Sequence, residues 1–497
     1  DKEEPVLFED ERIAFTRTVT TIPEIFTEAE MEELRKEHWI HEKGDVCNIS
    51  VDYTKLLNQG FDAKKAELEA LRQQFSQVGE AAKAHYIKLQ IDILDHVLSL
   101  AARYQELAEK KGNDVIARTL KAVPAHAPQS FLEALSMFRI IHFTMWCGRN
   151  YHNTVGRFDQ YIYPYLKADL DKGLYTEESA LELLEEFFLT FNRDSDLYPG
   201  MQQGDNGQSL VLGGLNEDGS DSYNLLSELC LKASLELKVI DPKINLRVHE
   251  KTPLGTYILG TQLTRQGLGF PQYSNDDVVI PGLMELGYKK EDAYRYVVAA
   301  CWEFIIPGAA MDIPNIEALS FTKAVSDAAM EKLEQCRSYD EFEKAVRDKI
   351  DAQADELCKR VNGVYLFPAP FLSLMMDGCC ENGTDVSLGC KYNNYGFHGT
   401  GIATAADSLA AVKKFVFEEK SMDASSLVKA LGNDFEGEEL LCNRLRYESP
   451  KMGNNDDYVD EIAARLLNDF ADSLKGRVND RGGIYRAGTG SAMYYIR

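Results

Sequence analysis

An alternation constrains this chain more than any other feature. Short apolar segments bounded by turn residues recur between long stretches of helical spacing: 208–214 (QSLVLGG), 242–248 (PKINLRV), 296–301 (YVVAAC) and 484–486. Strands that are apolar throughout bury both faces. Buried strands separated by helices build an α/β architecture with a closed or strongly curved sheet. The apolar periodicity predicts helices over 63–111, 129–147 and 176–193, the last opening on Thr176 as N-cap. Further helices are expected near 222–237, 252–266, 315–336, 339–361, 404–420, 424–446 and 457–475. No Pro/Gly/Ser-rich tract, repeat or low-complexity run interrupts the pattern, so 1–497 reads as one continuous domain, helix-rich over 1–200.

Charge and cysteine usage narrow the function classes. With 54 basic and 80 acidic side chains the net charge is −26, which disfavours binding to a phosphate backbone and so to nucleic acid. No apolar run reaches the ~18 residues of a membrane span, and the first residues (DKEEPVLFEDER) do not read as a signal peptide. The ten cysteines include no C-x-x-C, which leaves zinc ribbons, thioredoxin-like dithiols, c-type haem and radical-SAM iron–sulfur triplets without support. The expectation is a cytoplasmic protein of reducing surroundings, with no bound metal or cofactor.

Polar, glycine-bearing loops follow the apolar segments: YPGMQQGDNGQS, QGLGFPQYSNDD, CWEFIIPG and GCKYNNYGFHGTG. Loops of this kind, held by a rigid body, carry function. Cys301 ends one apolar run and Glu303 follows two residues later. If 301–303 is extended, period-two alternation aims thiol and carboxyl at one cavity, where Glu303 can serve as acid or base, and Trp302 points away into packing. On spacing alone C-x-E is a weak pattern, and a core cysteine beside a water-facing carboxylate is the plainer reading.

The surrounding residues change that weighting. Asn275–Asp276, Glu291–Asp292–Ala293, Tyr296, Cys301–Trp302–Glu303 and Pro307–Gly308 stand in the order found in the cysteine loop of glycyl radical enzymes, and this stretch resembles that family, the pyruvate formate-lyase superfamily. The likeness extends over nearly the whole chain. It takes in Gly156–Arg157–Phe158–Asp159–Gln160 with Tyr163–Pro164–Tyr165, Gly207–Gln208–Ser209 with Leu212–Gly213–Gly214, and Pro242–Lys243 with Leu246–Arg247–Val248–His249. Tyr392–Asn393 and Ala406–Asp407–Ser408–Leu409–Ala410–Ala411 complete it. The resemblance implies a barrel of two half-barrels around a central cysteine loop (here near 295–310), wrapped in helices, with the second half incomplete in this chain.

It also implies a chemistry. A stored glycyl radical takes the hydrogen of Cys301, the resulting thiyl radical abstracts hydrogen from a substrate carbon, and Glu303 deprotonates a neighbouring hydroxyl. Formate-lyases of the family resemble one another in two adjacent cysteines at this loop. Here there is one, and the adjacent pair Cys379–Cys380 lies downstream in MMDGCCENG, where it reads as a packed turn. The single C-x-E resembles the dehydratases first, then C–N and C–S lyases and arylacetate decarboxylases. Asn48 and Asn315 are candidate substrate contacts by position in the family; further candidates are His41, near Asn48 in sequence, Asp312, near Asn315, Gln208 and Ser209 at a strand start, and His398 in NNYGFHGTG. Cys47–Asn48 and Asn315 replace residues that several family dehydratases carry there.

The radical glycine itself is not found. Arg360–Val361–Asn362–Gly363–Val364 lacks the aromatic after glycine and reads as a helix end, and Arg477–Val478–Asn479–Asp480 has aspartate in the glycine's place. The expectation is that the chain lacks the C-terminal radical domain, that a separate radical-SAM activating enzyme is its partner, and that it forms a homodimer. Two rival readings remain: a split-enzyme subunit whose partner supplies the radical domain, and a binding barrel that kept the pocket without the chemistry.

Overall fold

The computed structural model describes residues 3–18, 27, 29–30, 32–33, 46–148, 150, 152–193, 207–300 and 302–489. The chain divides into two compact units, Asp1–Met311 with Tyr365–Tyr392, and Asp312–Val364 with Asn393–Arg497.

The first unit begins with helices. The 63–111 stretch forms two, Gly60–Gln77 and Ala81–Lys111, packed along each other and broken where Gly79 turns with φ +81°. Phe131–Cys147 is buried almost all round, and Phe138, Phe158, Phe187 and Phe191 interlock beside it at centroid distances of 5.2–6.1 Å. Helix Glu177–Thr190 opens with the predicted Thr176 in a reciprocal capping box with Ser179. Strands β1 (Ser209–Gly213), β2 (Lys243–Val248) and β3 (Gln272–Asn275) then form a parallel sheet in the order β1-β2-β3, linked by helices Leu225–Leu237 and Leu254–Thr264. Every residue of β1 and β2 is buried, as an apolar run in a parallel sheet requires. An antiparallel hairpin follows, β4 (Val297–Ala299) and β5 (Glu303–Ile305), whose Val297, Val298, Ala299 and Ile305 pack on Val211 of β1.

In the second unit β6 (Ile313–Ser320), β7 (Tyr395–Thr400) and β8 (Tyr485–Thr489) form another parallel sheet, order β6-β7-β8, with helices between the strands. Two expectations fail here. The helix expected near 315–336 spans Phe321–Lys332, and its first part is the strand β6. The segment taken as a glycine-rich loop, GCKYNNYGFHGTG, contains β7. Its glycines serve close packing: a Cβ at Gly396 would stand 2.0 Å from the Pro314 carbonyl oxygen, and one at Gly399 2.3 Å from the Phe321 ring. Among the described residues the strands make two three-stranded parallel sheets and a hairpin; they trace no closed barrel.

Candidate active site

The cysteine loop is the turn of the β4–β5 hairpin. Ala299 pairs with Glu303, so residues 300–302 connect the strands. Ala300 takes φ +44°, and Cys301 itself lies outside the described residues. The reasoning from alternation therefore does not apply, because residues 301 and 303 are not successive positions of one extended strand. What aims Glu303 is its position at the start of β5. Its Oε2 accepts the Trp302 backbone N–H at 2.8 Å, which folds a carboxyl group only 6% exposed back onto the turn that holds Cys301. Trp302 is half exposed, where packing was expected, since a side chain at a hairpin tip has little to pack against.

Ion pairs behind the hairpin hold it in place, and the family motifs supply them. Arg247, an arginine in the middle of apolar β2, forms a bidentate pair with Asp276 (Nε–Oδ1 2.9 Å, Nη2–Oδ2 2.7 Å), and both side chains are fully buried. The remaining Nη1 donates to the carbonyls of Tyr294 (3.0 Å) and Tyr296 (3.2 Å), the residues that lead into β4. Tyr296 returns its hydroxyl to Asp276 (2.6 Å) and lays its ring under the guanidinium at 4.1 Å. Burial alone works against the charge on Arg247, but Tyr296 and Asp276 outweigh it and raise its pKa. Gly214 closes the arrangement: at φ +95°, a Cβ there would stand 2.6 Å from Arg247 Nε. Arg157 donates to the Gly213 carbonyl (3.1 Å) and the Ser222 hydroxyl (2.6 Å), and Asp159 accepts from Gly213 N–H (2.7 Å) and the Ser227 hydroxyl (2.6 Å). Burial pushes the Arg157 pKa down to about 10, with Arg247 adding to the effect. These residues were read only as signs of kinship. A charged residue inside an apolar strand was the signal of their structural role, since such a charge must find a partner.

The candidate contacts divide. Ser209 donates its hydroxyl to the Ala300 carbonyl at 3.3 Å, so β1 touches the turn that holds Cys301 directly. Asn48 is buried at φ +56°, two residues before Ser50, whose carbonyl accepts Gly308 N–H (2.8 Å) from the turn after β5. Gln208 is committed elsewhere: it accepts from Trp146 Nε1 (3.3 Å) and donates to the Phe191 carbonyl (3.1 Å) and Asp241 (3.0 Å), which makes it a core tie. His41 lies outside the described residues.

In the second unit, Asp312 is fully buried, accepting Asn394 N–H at 2.7 Å and facing Arg486 of β8 at 3.6 Å. Asn315 is buried where the β6–β7 register shifts between Ile313 and Glu317. His398 pairs with Ala318 and Gly488 across the sheet, and burial, then the Arg486 charge, lowers its pKa and keeps the ring neutral at pH 7. Arg486 was not anticipated. The two glycyl-loop look-alikes meet in this unit as well: Gly363 N–H donates to Asp480 at 2.7 Å, just past the helix Tyr339–Arg360. No cluster of metal-ligating side chains and no helix long and apolar enough to cross a membrane occurs among the described residues.

Parallel strands backing a hairpin whose turn carries C-x-E define the scaffold class of the glycyl radical enzymes. The sequence profile of the pyruvate formate lyase-like family matches residues 16–496, and the chain belongs to that family. It is 30% identical over 423 residues to the trans-4-hydroxy-L-proline dehydratase of Clostridioides difficile, covering 78% of this chain and 53% of that protein. It is 28% identical over 485 residues to the (2S)-3-sulfopropanediol dehydratase of Klebsiella oxytoca, covering 89% and 58%. The glycerol-bound B12-independent glycerol dehydratase of Clostridium butyricum superposes with a TM-score of 0.82 at 27% identity, over 93% of this chain and 64% of that one. The chain thus spans little more than half the length of these curated relatives.

Proposed function

We propose that the protein of which this chain is a part is a glycyl radical lyase, a dehydratase of a small hydroxylated metabolite, with Cys301 and Glu303 as its catalytic residues. The observation that carries the reading is the buried Glu303 carboxyl turned back on the hairpin tip that includes Cys301. The named dehydratases among the relatives support the substrate class. A stored glycyl radical, installed by a radical-SAM activating enzyme, supplies the one-electron chemistry, and the remaining steps fall to this chain's residues. Cys301 as thiyl removes a hydrogen atom from the carbon bearing a hydroxyl. Glu303 takes that hydroxyl's proton, which weakens the bond to the leaving hydroxyl on the next carbon. The hydroxyl departs as water with the proton Glu303 took, and Cys301 returns its hydrogen atom, so the net change is loss of one water. Seating Glu303 away from bulk water protects both the radical and the proton transfer.

Asn48 and Ser209, in the same unit as the hairpin, enter the proposal as polar contacts for substrate hydroxyls. A cytoplasmic homodimer is the proposed assembly.

The test uses the protein in its native length, activated under anaerobic conditions with its activating enzyme and offered glycerol, propanediol and sulfopropanediol. An organic-radical EPR signal with water loss from one of them is the expected result. Glu303→Gln should keep the radical signal while turnover falls roughly 10²–10⁴-fold, and Cys301→Ser should keep the signal with no turnover. A Glu303→Gln protein as fast as the parent defeats the assignment of the base.

A further inference from the structure

The helix that joins β2 to β3, Leu254–Thr264, carries large apolar side chains on the face turned away from the sheet. Its buried residues are Thr256, Gly260 and Leu263, and two of these three are small. Gly260 seats the helix on β3, since a Cβ there would stand 2.6 Å from the Tyr273 hydroxyl, and helix Leu225–Leu237 packs alongside. Leu254 is 73% exposed and Ile258 52%, one turn apart on the outer face, which Gly255, Thr261 and Gln262 complete. Tyr257 and Leu259 flank them, half-buried. A helix that is apolar on both faces belongs in an interior, so the outer face of this one calls for a protein cover.

Charge indicates what that cover is. From Thr252 to Thr264 no residue is charged, in a chain where 27% of residues are and the net charge is −26. The centres of protein interfaces are depleted of charge in the same way. A basic partner would be drawn to the acidic remainder of the surface and would gain least at this stretch. Two copies of so acidic a body repel each other wherever their charged surfaces meet, and an uncharged stripe is where they approach without that cost. The helix is roughly 16 Å long, and antiparallel packing about a twofold axis would bring the two copies of Ile258, near its middle, together. Open space around the Cβ position of Gly255 leaves room for a second backbone to come close.

We propose that the outer face of helix Leu254–Thr264, centred on Leu254 and Ile258, is the apolar core of the interface between two copies of this protein. This rests on the homodimer proposed above and adds the surface that makes it.

The test uses the unactivated protein in its native length, with sedimentation velocity as the readout. The parent should be a dimer. Leu254→Glu/Ile258→Glu should weaken dimerisation at least 30-fold or so, and the variant should keep its far-ultraviolet circular dichroism, because both side chains are exposed. Ile258→Cys, which leaves the interface intact, should react with a maleimide slowly as dimer and rapidly once dilution yields monomer, with the parent's labelling subtracted. A native-length protein that is monomeric at every concentration overturns the homodimer and this proposal with it. A dimer that the double substitution leaves intact overturns the surface assignment alone. So does labelling of Ile258→Cys at one rate in monomer and dimer, whether fast, as on a free surface, or slow, as beneath another part of the same chain.

Discussion

His142 lies in the largely buried helix Phe131–Cys147 with its ring 5.6 Å from that of Phe138 and 5.0 Å from Phe191, and Arg139 Nη1 is 3.4 Å from its Nδ1. Burial first, and then the Arg139 charge, holds its pKa well below 6.5. The unfolded imidazole binds a proton near pH 6.5 and the folded one does not, so below that pH the unfolded state binds more protons and stability falls as pH drops. Between about pH 6.5 and 5, His142 should cost about 1 kcal/mol per pH unit. Urea denaturation at both pH values should show this slope flattened in His142→Gln, and an unchanged slope would refute the assignment. Residue identity in the sequence was a poor guide at this scale. Gln208 looked like a pocket residue and is tied to Trp146, Phe191 and Asp241, while nothing singled out Arg486, which faces Asp312. The difference is one of partners, and partners lie far away in sequence.

The hairpin β4–β5 is too short to orient itself, and its direction is imposed by Arg247 of β2 and Asp276 at the start of helix Asp276–Glu285. Removing one member leaves an uncompensated buried charge. Arg247→Met and Asp276→Asn should each destabilise by about 3–5 kcal/mol, and the paired Arg247→Met/Asp276→Leu protein should lose less than the sum. Chemical denaturation measures all three, and a single-variant loss below about 1 kcal/mol would show that the pair does not hold the hairpin. At this scale the helices were legible, because 3.6-residue spacing and a cap such as Thr176 are local signals. Strands β3, β5 and β7 were not. They are 3–6 residues long, and the glycines of β7 that read as loop are required by its neighbours Pro314 and Phe321.

The whole molecule carries a net charge of −26. Self-repulsion of that size disfavours the compact state, and salt screens it over roughly 8 Å at physiological ionic strength. Raising sodium chloride from low ionic strength to about 0.5 M should raise the midpoint of thermal unfolding by several degrees in differential scanning fluorimetry; a fall would mean that attractive pairs such as Arg12–Glu186 and Lys391–Asp292 dominate. The sequence by itself determined the alternation of helices with buried strands, the order of motifs that marks the family, and the C-x-E at the centre of it. Only the tertiary structure decided that C-x-E is a hairpin turn with Glu303 folded back over it, and that Arg247 and Asp276 clamp the hairpin. Periodicity, capping and motif order are written in neighbouring residues. Strand pairing and the choice of partner for a buried charge depend on residues dozens to hundreds of positions apart, which only packing brings together.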